Sequence, residues 1–76
     1  MSFQGYLKTI KEKTGKGPEE FRRLAEEKGL TENSELKAST KAGDVVTWLK
    51  EDYDLGHGHA MAIYALLKGI KNEDSE

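Results

Sequence analysis

Apolar residues recur along this chain at intervals of three and four, the spacing of one helical face. Phe3, Tyr6, Leu7 and Ile10 form the first such stripe. It predicts a helix over about 3–14, with Ser2 as a candidate N-cap and Gly15 as the left-handed stop. Gly17-Pro18-Glu19-Glu20 reads as the next start: proline at the first helical position loses no hydrogen bond, and two acids meet the positive end of the dipole. Phe21, Leu24 and Ala25 give that helix its face, Gly29 ends it, and Leu30 can fold back over its last turn. The prediction is a helix over about 18–28.

Residues 31–40 are polar apart from Leu36 and Ala38. They are expected to be a connector holding at most one short helical turn, long for a link between helices. Val45, Val46, Trp48, Leu49 and Tyr53 then form a broad apolar face. They predict a third helix over about 41–52, capped by Ser39 or Thr40. Asp54-Leu55-Gly56-His57-Gly58-His59 punctuates the chain before the run Ala60 to Leu67. That run is apolar almost all round, so the fourth helix should be central and covered on most sides. Gly69 followed by Ile70 reads as a Schellman-type ending. Strand-type alternation is absent. The expected fold class is all-α: a small compact bundle of about four helices with a central apolar C-terminal helix. Residues 1–70 are expected to form a single helical domain, and the charged residues 71–76 a disordered tail.

Length tightens this picture. A chain of 76 residues buries only about 60% of the surface its unfolded form exposes. Helix packing must be efficient, because the chain has no cysteine and so no disulfide, zinc-thiolate site or thiol nucleophile. Met61, Tyr64 and Leu66 cannot all face one core if Ile63 and Leu67 do, so apolar surface is expected to remain for a partner or a second copy. A net charge of −2 does not favour broad attraction to nucleic acid or acidic membranes. The longest apolar run, Ala60 to Leu67, is far short of the roughly 20 residues of a membrane span. The N-terminus carries no apolar signal core. The reading is a cytoplasmic protein with no membrane association.

Gly56-His57-Gly58-His59 is the most unusual chemistry on the chain. Two glycines spend backbone entropy beside a helix start. They imply a tight turn, a close approach of another backbone, or a binding site. Amides at a glycine-rich helix start attract anions. The two histidines are two residues apart, about 200° around a helix axis, so they cannot share one ion as pairs four apart can. No metal and no cofactor is expected. Leu55, Gly56, Gly58 and Ala62 stand where a helix-hairpin-helix turn has its leucine, glycines and alanine. His57 replaces the apolar anchor of that motif, and Glu51, Asp52 and Asp54 would repel phosphates, so the departures decide against it. Lys13-Thr14-Gly15-Lys16-Gly17 lacks the spacing and the preceding strand of a phosphate loop. Trp48 lies on a core face, and Glu19/Glu20 and Glu26/Glu27 lie on solvated faces, where acid-base work would lack the burial that tunes it. No catalytic residue is assigned.

The motifs taken together resemble a known family. They are Ser2-Phe3-Gln4, Tyr6-Leu7, Lys13-Thr14-Gly15-Lys16, Pro18-Glu19 and Phe21 at the front. Behind stand Lys41-Ala42-Gly43-Asp44, Trp48-Leu49-Lys50, Asp52 and Leu55 to Ile63. This pattern, from Ser2 to about Leu67, is similar to that of small bacterial proteins grouped as a domain of unknown function, DUF4287. The resemblance implies a bacterial cytoplasmic domain, alone or within a longer chain, and assigns no activity or site. The expected function is a non-enzymatic protein-protein interaction module that self-associates or binds an unknown protein partner. The alternative is weak phosphate or nucleic-acid backbone binding through Gly56, His57, Gly58 and His59. Nucleic acid is the less expected partner.

Overall fold

A computed structural model describes residues 3–32 and 35–70. Four α-helices and one small hairpin follow in order: α1 (Phe3–Thr14), α2 (Pro18–Glu27), β1 (Thr31–Glu32), β2 (Glu35–Leu36), α3 (Ala42–Tyr53) and α4 (His57–Lys68). Ser2, the expected cap of α1, and the charged segment 71–76 lie outside the described residues. No described helix is long and apolar enough to cross a membrane.

The helix ends follow their punctuation. Gly15 (φ +76°) takes the left-handed conformation and its N–H donates to Lys11 O at 2.7 Å. Gly29 (φ +79°) ends α2, and Leu30 N–H reaches back to Ala25 O at 2.9 Å, closing a Schellman motif. Gly69 and Ile70 repeat it at the end of α4, with Ile70 N–H on Ala65 O at 3.0 Å.

Two expectations need correction. The segment 31–40 holds a hairpin where at most a helical turn was expected. Thr31 pairs with Leu36 and Glu32 with Glu35, antiparallel. The strands are too short for an alternation of apolar and polar residues to register. Lys37 N–H donates to Leu30 O at 3.1 Å, which extends the ladder by one pair. The second correction is the cap of α3, which is Lys41 and not Ser39 or Thr40. Asp44, three residues into the helix, accepts from Lys41 N–H at 3.0 Å. The Thr40 hydroxyl instead donates to Leu30 O at 2.9 Å and ties the connector to the end of α2.

The core is one cluster to which every helix contributes. Phe21, Ile10, Leu49, Ile63 and Val45 are its largest fully buried side chains. Phe21, Tyr53 and Trp48 stack edge to face in sequence, with ring centroids 5.5 and 6.0 Å apart. Helix α4 is central as expected: it packs against α1, α2, α3 and β2. Ala60 and Ala62 are buried, and their small side chains let neighbouring elements approach its axis. Leu66 is buried too, while Met61 and Tyr64 are half-buried against the core. The fold therefore covers part of the apolar surplus expected from the sequence, leaving Met61 and Tyr64 partly open. Ile70, 63% exposed, is the exposed large apolar residue among those described.

Candidate functional site

The corner between α3 and α4 holds the glycine-histidine turn. Helix α3 ends on Asp54 in the left-handed region (φ 54°), a strained place for a residue with a side chain. Asp54 N–H donates to Lys50 O at 3.1 Å and Leu55 N–H to Leu49 O at 3.3 Å. Leu55 is buried and anchors the turn in the core. Gly56 caps α4 in extended backbone, and Ala60 N–H makes the helical bond back to Gly56 O at 2.9 Å. Helix four thus opens within the glycine-histidine stretch. The N–H groups of His57, Gly58 and His59 have no intrahelical acceptor, as at any helix start, and none bonds to another described residue.

The two histidines diverge as their spacing requires. His57 is exposed. His59 packs its ring on Tyr6 of α1, edge to face at 5.0 Å and 84°, and its Nε2 is buried without a hydrogen-bond partner among the described residues. The same tyrosine lies over Gly58, where an added Cβ would meet Tyr6 Oη at 3.5 Å, an ordinary contact distance. At Gly56 an added Cβ would meet nothing within 4 Å. Neither glycine has a positive φ. The fold itself therefore demands glycine at neither position.

Two residues that sequence reasoning placed elsewhere complete the corner. Tyr6 was legible only as part of an apolar stripe. Lys13 donates from Nζ to Asp54 O at 2.7 Å, 41 residues along the chain, and no local pattern marks that contact. Asp52, expected to repel phosphates at the turn, is engaged with Lys28, the C-cap of α2, at 3.3 Å. Tyr53 has its phenol pKa raised by burial and then by the Asp52 carboxylate, partly offset by Lys28. Among the described residues no group of three or more His, Asp or Glu is placed to hold a metal ion. The structure brings Gly56, His57, Gly58 and His59 together at one helix start, with only His59 turned inward.

A second feature lies on the opposite half of α4. A groove of about 430 Å³ runs between β2 and the last turns of that helix, with Glu35, Leu36, Lys37, Thr40, Tyr64 and Lys68 among its walls. Lys68 Nζ donates to Tyr64 Oη at 3.3 Å and sits 5.6 Å from the centroid of its ring. Another concavity of about 430 Å³ lies among Glu19, Arg22, Arg23, Glu26 and Glu27 of α2. Its side chains belong to a single helix and carry both signs, with Arg22 paired to Glu19 at 2.6 Å.

The fold and corner define a small all-α domain wound around an apolar last helix that opens on a glycine-histidine turn. The family model of the domain of unknown function DUF4287 matches residues 2–69. The chain belongs to that family, as the motif resemblance implies. Among curated proteins and solved structures, none matches the chain.

Proposed function

We propose that this domain is a non-enzymatic protein-protein interaction module of the bacterial cytoplasm, and that it binds a different protein rather than a second copy. The observation that carries this reading is the open edge of β2. Lys37 N–H bonds to Leu30 O, so pair 30–37 is a hydrogen-bonded pair and pair 31–36 is not. In an antiparallel ladder that register turns the N–H and C=O of Leu36 away from β1. Neither group bonds to another described residue. An unpaired strand edge beside a groove is a template for a partner chain. The sequence argument for self-association has less support here, because Leu66 is buried and Met61 and Tyr64 are half-buried. The cysteine-free composition is in keeping with a reducing compartment. The bonded threonine hydroxyls, Thr14 and Thr40, spend their protons on backbone carbonyls, which does not favour a nucleophilic role for either.

Photo-reactive residues placed singly at positions 37, 57 and 20 test this reading in extracts of the source cells. A defined protein adduct from 37 or 57, absent from 20 on the outer face of α2, is the expected result. Equal adducts at all three positions, or none, would remove the interaction reading.

A second reading is weak anion binding at Gly56 to His59. It is favoured by the three N–H groups that bond to no other described residue and by glycines that the fold does not demand. Titration with inorganic phosphate and a short oligonucleotide, followed by amide NMR, should shift His57, Gly58 and His59 first. A flat response there would leave a turn without a ligand.

A further inference from the structure

We infer that the partner of the β2 edge is an extended acidic segment, which adds to the hairpin as a third strand and sets a carboxylate between Lys37 and Lys68. The inference rests on the reading of the domain as an interaction module and names the chemistry of its partner. Residues 35, 36 and 37 all line the groove. Successive strand residues point to opposite faces, so a groove touching all three runs along the strand edge and not over one face. Along that edge Leu36 offers one N–H and one C=O, neither bonded to another described residue. A free anion would satisfy the donor and leave the carbonyl. A peptide backbone satisfies both.

The side chains around the edge select the sign of the partner. Lys68 donates to Tyr64 Oη, so the phenol's lone pair is engaged while its own proton stays free to donate. The Lys68 ammonium has two further N–H groups, and Lys37 adds three more on the strand side. The Thr40 hydroxyl proton is already spent on Leu30 O. Against these donors stands one carboxylate among the described residues of the groove, Glu35. A carboxylate arriving from a partner meets two cations and a phenolic O–H, and charge-assisted bonds of this kind are the stronger sort. The Tyr64 ring supplies apolar contact beside it. A volume of about 430 Å³ accommodates one side chain with its stretch of backbone and falls within the range of ordinary ligand sites.

The full chain, labelled with nitrogen-15, tests this with an acetylated five-residue peptide of alternating glutamate and valine. Saturable amide shifts at Leu36, Lys37, Tyr64 and Lys68 are expected. Affinity should fall about tenfold or more in Lys37→Glu/Lys68→Glu and with a peptide N-methylated at its central residue. The lysine-valine counterpart should leave those amides unmoved. Absence of shifts at millimolar peptide, or equal shifts with the lysine peptide, would overturn the inference. So would equal shifts with free glutamate, which would mark an anion pocket without strand pairing. A photo-adduct at position 37 together with a silent peptide titration would overturn this inference and leave the interaction reading standing.

Discussion

The seam between α3 and α4 and the corner that joins those helices are built from adjacent stretches of one chain, yet they obey different constraints. In the seam, Val45, Leu49, Ala60 and Ile63 are completely buried. In the corner, Asp54, Gly56, His57 and Gly58 are exposed around the single buried anchor Leu55. Packing dictates residue choice in the seam. In the corner the fold dictates Leu55 and little else, so the remaining residues are free to answer to something other than stability.

Substitutions on either side test that contrast. The largest effect belongs to the seam: Ile63→Ala should cost about 2–5 kcal/mol, since a fully buried side chain leaves both lost transfer energy and a cavity. Urea denaturation measures it, and a cost below that of an exposed change such as Glu27→Ala would refute α4 as the core. Next is Asp54→Gly, expected to stabilise by about 1 kcal/mol. It relieves the left-handed strain at φ 54° and removes a negative charge from a helix C-terminus. The Lys13 bond survives, because its acceptor is the backbone oxygen.

A smaller gain, at most about 1 kcal/mol, is expected for Gly58→Ala. The new methyl would rest on Tyr6 at ordinary contact distance. Marked destabilisation by that change would make the turn a packing device and erase the contrast between corner and seam. If stability holds while phosphate-induced shifts at the turn disappear, the corner is a site.

The smallest effect concerns Tyr53, at the end of the seam. Its pKa is raised, so the fold holds the phenol proton more tightly than the unfolded chain does. The associated stability is fully present below the ordinary value of about 10 and is lost as pH rises through and beyond it. Tyr53→Phe should therefore soften the fall in the urea midpoint between about pH 8 and about pH 11. An unchanged fall would assign the alkaline loss to other groups.

The four helices were legible because their signals are local. Stripes such as Phe3, Tyr6, Leu7 and Ile10, the Pro18 start, and the Gly15, Gly29 and Gly69 stops are written in neighbouring residues. Family membership was legible for the same reason, since its motifs are contiguous blocks. The glycine-histidine turn could be singled out by composition. The absence of any demand for its glycines could not, because that depends on Tyr6, some fifty residues earlier.

Local spacing therefore settles the set of helices, their order and the apolar helix that must lie at the centre. How those faces share one core is settled by packing between distant stretches of the chain. That packing buried Leu66 and half-buried Met61 and Tyr64, where periodicity had left a surplus for a partner. It set Lys13 on Asp54 O and paired Lys28 with Asp52. It also paired 31–32 with 35–36 as antiparallel strands, with the outer edge of the second beside Lys68. Helical periodicity reports which face of an element seeks cover, and it is set by contacts three and four residues apart. Which neighbour supplies that cover, and which edge stays bare, depends on contacts between residues tens of positions apart, about which local spacing carries no information.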